Sequence, residues 1–201
     1  DDEKKLLQEW GINKEKKIIL VPGRLTAWKG HEMFIQSLNL VKIELGYEAF
    51  HAVILGNDQG RDSYKKKLMQ LTEQYHLTNQ IKFIDHCKDM ALAYKISDIV
   101  ISPSIEPEAF GRVAVEAQSM EKLIIASNIG GSNETIIDGK TGLLFEAGDP
   151  KSLSNRIIQA VTLDESSYKR MGKEGRKNIA KKFNVEKMCF STYSEYKRIL
   201  N

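Results

Sequence analysis

Residues 17–30 read KIILVPGRLTAWKG. The first half is a short run rich in Ile and Val. It is too short for a buried helix and lacks the alternation of a half-exposed strand, so it is predicted to be a parallel strand buried on both faces. Pro22 and Gly23 end it, and a helix is expected to begin near Lys29. The same kind of run returns in HAVILG (51–56), IKFI (81–84), DIVIS (98–102) and KLIIAS (122–127). Segments of helical period lie between them. Phe34, Leu38, Val41 and Leu45 share one face, and Leu68, Leu71 and Tyr75 share another. Such alternation implies right-handed βαβ crossovers and an α/β fold, a doubly wound parallel sheet with helices on both faces. After about residue 146 the strand signals stop. Leu153, Ile157, Ile158 and Val161 begin a helical C-terminal tail, with breaks expected near Asp164 and Asn184. No repeat, low-complexity segment or linker divides the chain, so residues 1–201 are expected to form a single domain.

With 41% hydrophobic and 28% charged residues, the 201-residue chain has an ordinary globular composition and can bury a sizeable core. Its 30 basic and 27 acidic residues are spread along the sequence, and the net charge of +3 supplies no basic stripe for nucleic acid. The runs Lys65–Lys67 and Lys181–Lys182 read as solvated helix faces. Cys87 and Cys189 lie far apart and form no CxxC, which argues against a disulfide or zinc framework and for a reducing compartment. No apolar run is long enough to span a bilayer, and there is no signal-like start. The first residue is Asp, within a predicted helix over Asp2 to Trp10, so a piece of a longer protein is expected.

In an open parallel sheet, ligands bind beyond the carboxyl ends of the strands, so the loops that follow the strands are the places to look. The first, PGRLTAWKG, holds Gly23, Arg24, Lys29 and Gly30. Glycines permit close backbone approach, and two cations at a helix mouth suit an anion such as a diphosphate. It is not a Walker loop, because His31 follows Gly30 where Lys would be needed. The alternative is a tight turn with two exposed cations. In GNDQG, Gly56 and Gly60 frame turn residues. In NIGGSNET, Gly130 and Gly131 offer successive amides that could form an anion-binding nest.

The loop and helix after DIVIS, SPSIEPEAFGRVAVEAQSM (102–120), carry Glu106, Glu108 and Glu116. A helix starting near Phe110 puts Glu108 at its N-terminal mouth and Glu116 on its body. Both could be solvated. Against that, Glu116 is flanked by Val113, Val115 and Ala117, where an unpaired carboxylate would be expensive, and a pair of ligand hydroxyls would offset the cost.

Together these motifs resemble the C-terminal domain of a GT-B glycosyltransferase, most similar to family 4, the retaining group 1 enzymes that use sugar nucleotides. GRLTAWKG is similar to that family's GRLxxxKG. ISDIVISPSIEPEAFGRVAVEA and IIASNIGGSNETIIDGKTGLLF are similar to its two later motifs, in the same order. The resemblance covers about residues 17–183. It implies a Rossmann-like half of a GT-B fold, with a last helix over about 185–200 crossing back to an N-terminal acceptor domain absent from this chain.

Residue by residue, it implies that Arg24, Lys29 and Glu108 are catalytic. Arg24 and Lys29 would grip the diphosphate, Gly131 and the residues after it would add backbone donors to it, and Gly23, Gly56 and Gly130 would also belong to the donor-binding set. Glu108 would hold the donor sugar near the Phe110 and Gly111 amides, and Glu116 would bind the ribose. Phe83 and Ile84 would lie against the base, although Asp85 stands where that family has glycine. Glu106 falls outside the motif. The implied reaction is transfer from a UDP- or GDP-linked sugar to a sugar or lipid-linked acceptor with retention of configuration, in cell-surface polysaccharide or glycolipid synthesis. The isolated domain is expected to be inactive. No metal or other cofactor is expected, and the setting is the cytoplasm, with peripheral association of the full-length protein at the inner membrane face.

Other classes fit less well. A glycosidase needs two carboxylates facing each other across one bond. A dinucleotide-dependent oxidoreductase needs GxGxxG after the first strand. A sugar-nucleotide 2-epimerase of the same architecture and a non-catalytic nucleotide-binding module remain as alternatives.

Overall fold

The computed structural model describes residues 2–46, 49–60 and 62–200. Six parallel strands form one sheet: β1 (Lys17–Pro22), β2 (Phe50–Leu55), β3 (Ile81–Ile84), β4 (Ile99–Ser102), β5 (Leu123–Ser127) and β6 (Leu143–Phe145), in the order β3-β2-β1-β4-β5-β6. Before and between them run α1 (Asp2–Trp10), α2 (His31–Leu45), α3 (Asp62–Gln74), α4 (Met90–Ile96), α5 (Arg112–Ser119) and the single turn α6 (Ser132–Thr135). The helical end comprises α7 (Pro150–Val161), α8 (Glu165–Lys182) and α9 (Val185–Leu200). The doubly wound α/β architecture expected from the sequence is therefore the one found. The exception is β6, a three-residue edge strand absent from the strand runs picked out above, too short to carry a pattern of its own.

Side-chain alternation sorts the central strands onto two cores. Ile19 and Val21 of β1 join Phe34, Ile35 and Leu38 of α2 and Leu153 and Ile157 of α7 on one face. Ile18 and Leu20 join Leu6, Leu7 and Trp10 of α1, Tyr94 of α4 and Ala114 and Ala117 of α5 on the other. Burial of a side chain such as Phe34 contributes about 1.5–3 kcal/mol, and the covering of both faces explains why the strands read as unbroken apolar runs. The breaks in the helical end have local causes. Asp149 caps α7 ahead of Pro150, and Asp164 caps α8 by accepting the Ser167 N–H at 2.9 Å.

The strand order reverses beside β1. The chain builds outward from β1 through β2 to β3, then returns to lay β4 on the other side of β1. The registered pairing there is short, Ile19 with Ile99 and Leu20 with Val100. It is extended by Asp98, whose carboxylate accepts the Ile18 N–H at 2.8 Å. Beyond the carboxyl ends, the Ile105 N–H donates to the Trp28 carbonyl at 2.8 Å, tying the loop after β4 to the loop after β1. Gly30 makes this approach possible. Its φ is +73°, and a Cβ there would lie 1.9 Å from the Pro103 carbonyl oxygen.

Two stability predictions follow from this region. Gly139 has a similar φ of +72° but open space around it, so Gly139→Ala should lose only about 1–2 kcal/mol from left-handed strain. Gly30→Ala should lose about 1–3 kcal/mol more, through the contact with Pro103, and equal losses in urea titrations would refute the close-approach argument. The second concerns His31, in the first turn of α2. Burial, helped by the Lys29 charge and opposed by the Thr26 backbone, holds its imidazole down at about 4 from an ordinary 6.5. The unfolded chain therefore takes up this proton first, and stability present above pH 6.5 is lost as pH falls toward 4. The loss due to His31 between pH 7 and pH 5 should be about 2 kcal/mol and missing from His31→Phe, measured by denaturant unfolding at both pH values.

Candidate functional site

Because the chain leaves β1 and β4 in opposite lateral directions, the loops that follow them part and leave a crevice at the reversal point. A cavity of about 560 Å³ occupies it, with walls that include Gly23, Arg24 and Lys29 from the loop after β1 and Glu108, Phe110, Gly111 and Glu116 from the loop after β4 and from α5. Trp28, Met90, Tyr94 and Arg112 complete much of the wall.

The centre of the crevice is an ion pair across the two loops. Lys29 Nζ lies 2.8 Å from Glu108 Oε1, with the two side chains only 14% and 18% exposed. The Ser104 hydroxyl donates to the same carboxylate oxygen. Lys29 Nζ also sits 4.5 Å from the centre of the Trp28 ring, a cation–π contact that holds the ammonium in place. Arg24 is exposed at the wall and takes part in no ion pair among the described residues. Glu108 stands just ahead of α5, where the unpaired N–H groups of the helix favour negative charge.

Glu116 is one turn into α5, and its surroundings differ from those the sequence suggested. The carboxylate is not left unpaired among apolar neighbours. Oε2 accepts from the Tyr94 hydroxyl at 2.7 Å, and Oε1 accepts from Arg112 Nη2 at 3.0 Å. The cost that ligand hydroxyls were expected to offset is thus already met within the protein. Burial first, and then the Glu116 carboxylate, push the Tyr94 phenol well above its ordinary value, so it stays a donor.

Other expected site residues stand behind the crevice. Gly131 donates its N–H to the Glu108 carbonyl at 2.8 Å, so that amide already has a partner within the protein. A Cβ on Gly130 would lie 2.6 Å from the Glu108 carbonyl oxygen, and one on Gly131 would lie 2.6 Å from that of Phe110. These glycines let the turn after β5 press against the loop that carries Glu108. Gly56 acts similarly, with its Cα facing the Gly23 carbonyl. Phe83 and Ile84 pack against the two cores and are not among the cavity residues. Asp85 pairs with Lys65 of α3. Glu106 is exposed and stays outside the cavity. Ser104, Trp28, Tyr94, Met90 and Arg112 were not singled out from the sequence. Ser104 and Arg112 lie within the quoted motif, and their roles show only in the hydrogen bonds.

A larger cavity of about 710 Å³ runs between Phe110, Val115 and the start of α9. Phe110 borders both spaces and meets Phe183 edge-on at 5.5 Å. This second space is lined mainly by apolar residues with Lys182 and Lys187, and it has no glycine loop or carboxylate. Among the described residues no group of three or more His, Cys, Asp or Glu side chains could hold a metal ion. No helix among them is long and apolar enough to cross a membrane.

In chemical terms the crevice offers two cations beside a carboxylate at a helix mouth, and about one turn of helix away a second carboxylate with a fixed donor. That set suits an extended ligand with an anionic middle and hydroxyl-bearing ends. A glycosyltransferase from Rickettsia africae superposes with a TM-score of 0.92 at 32% identity, over 100% of this chain and 52% of that one. Anabaena HepE in complex with UDP-glucose superposes at 0.87 with 26% identity, over 98% of this chain and 52% of that one. The capsular polysaccharide biosynthesis glycosyltransferase CapM of Staphylococcus aureus is 28% identical over 178 residues, 89% of this chain and 45% of that protein. The Rossmann-like fold is thus that of GT-B glycosyltransferase structures, and the chain spans about half the length of the curated relatives it matches. Residues 2–178 match the family Glycosyl transferases group 1, and the chain belongs to it.

Proposed function

We propose that the crevice between the loops after β1 and β4 binds a nucleotide-diphosphate sugar, and that the chain is the donor-binding half of a retaining, family 4 glycosyltransferase. The observation that carries this reading is the Lys29–Glu108 pair. It puts a cation and a carboxylate, both largely shielded from water, at the point of the sheet where ligands bind. Arg24 and Lys29 take the diphosphate, with Gly23 giving close backbone access. Glu108 turns to the sugar hydroxyls beside Phe110 and Gly111, and Glu116 takes the ribose. The glycosyl group passes to an acceptor hydroxyl as the sugar–phosphate bond breaks; the nucleoside diphosphate leaves with the bonding pair, and its freed oxygen takes up the hydroxyl proton. Arg24 and Lys29 stabilise the charge that grows there, so no metal ion is required. UDP is the first nucleotide to test, because HepE holds UDP-glucose.

The rest of the enzyme is an N-terminal domain that brings the acceptor, a sugar or a lipid-linked sugar, and without it this half does not turn over. Support comes from α9, which exposes Val185, Met188, Phe190, Tyr193 and Tyr196 along its length. A helix with this much exposed apolar surface suits packing against a second domain. The name of CapM speaks for polysaccharide synthesis; we place the reaction in polysaccharide or glycolipid synthesis and propose the cytoplasmic face of a membrane as its setting.

Calorimetric titration of this chain with UDP, GDP, ADP and UDP-glucose tests the reading. Lys29→Met should weaken nucleotide binding by about tenfold or more, through loss of a charge-assisted contact. Glu116→Ala should weaken UDP and UDP-glucose alike. Glu108→Ala releases Lys29 for the phosphates and should weaken UDP-glucose selectively. Failure of the folded wild-type chain to bind any nucleotide would end the proposal, and equal losses for UDP and UDP-glucose in both glutamate variants would overturn the division of roles.

A further inference from the structure

Tyr94 is an aromatic residue of α4, 2% exposed and packed in the core with Ala114 and Ala117 of α5. Its ring needs no polar partner to stay buried, yet its hydroxyl reaches the cavity wall and donates to Glu116 Oε2 at 2.7 Å. The end of α4 is fixed in turn, because Ser97 donates both its N–H and its hydroxyl to the Tyr94 carbonyl. The other oxygen of Glu116 is held differently. Arg112 reaches Oε1 from one turn earlier on α5, and its side chain is 84% exposed. An exposed pair of this kind contributes little and is easily exchanged. One oxygen of Glu116 is therefore anchored from the core and the other is covered from solvent.

We propose that Tyr94 is a positioning residue for ribose recognition: by holding Oε2 of Glu116, it presents Oε1 as the oxygen that a ribose hydroxyl takes in place of Arg112. This rests on the donor-site reading above. A phenol has a single proton to give, so the anchor uses only one of the acceptor sites on the carboxylate. Without it, Glu116 would be free to turn toward Arg112 and would meet ribose and deoxyribose with less distinction. Tyr94 touches no donor atom itself, and its effect passes through Glu116.

The test uses the chain as it is, with whichever of UDP, GDP and ADP binds most tightly, the 2′,3′-dideoxy form of that nucleotide, and inorganic pyrophosphate. The wild-type chain should prefer the ribose form by about tenfold or more, because a carboxylate built to receive hydroxyls rejects a ligand that lacks them. Tyr94→Phe keeps the ring in its core and should cut that preference to about threefold or less, with pyrophosphate affinity changed by less than about twofold. Glu116→Gln should also lose most of the preference. A Tyr94→Phe protein that keeps the full ribose preference would overturn the inference while leaving the donor site intact. So would one that weakens pyrophosphate and both nucleotides by the same factor, which would mark Tyr94 as merely structural. A wild-type chain that binds none of the nucleotides, or binds ribose and dideoxyribose forms equally, would overturn the assignment of Glu116 and this inference with it.

Discussion

Because β4 is laid against β1 on the side away from β2, the loops after these two central strands must diverge and then face each other across a gap. The Lys29–Glu108 pair closes that gap, and much of the local sequence exists to hold its two ends. Gly30 lets the loop after β1 lie against Pro103, and the Ile105 N–H bonds to the Trp28 carbonyl. Trp28 and Ser104 steady the cation and the carboxylate in turn. A cation and an anion kept this dry without partners would be costly, and each is the partner that meets the other's cost.

The two glutamates are prepared in parallel ways. Each has one oxygen held by a neutral hydroxyl of the protein, Ser104 for Glu108 and Tyr94 for Glu116. Each is also bonded to a cation, Lys29 at the same oxygen of Glu108 and Arg112 at the other oxygen of Glu116, and in the proposed donor site a ligand would replace that contact. Preorganisation of this kind fixes the direction of a carboxylate before binding and reduces the ordering that binding would otherwise require. The distance between the two sites along α5 then suits a ligand that is extended, with its charge in the middle.

Much of this was legible in the residues. Strands covered on both faces leave contiguous apolar runs, so β1 to β5 are visible, whereas a three-residue edge strand such as β6 leaves almost nothing. The loops of the site were legible too, since glycines, cations and carboxylates gather after the strands. What the sequence does not carry is which loop meets which. Lys29 and Glu108 are far apart along the chain, and their pairing follows from strand order alone. Gly130 and Gly131 show the same limit. A glycine pair signals close approach, and the groups that come close here, the backbone of Glu108 and of Phe110, lie in a loop far away along the chain. Tyr94 passes for an ordinary core residue because its ring is one, and only the position of its hydroxyl distinguishes it.

The most direct measurement of the central claim is amide chemical-shift mapping of the isotope-labelled chain as UDP is added. The largest shifts should fall on Gly23 to Lys29, on Glu108 to Glu116 and around Tyr94, where the two loops and α5 enclose the crevice. Shifts concentrated instead on Phe183 to Ser191, around the apolar space beside α9, or no saturable shifts at all, would contradict it.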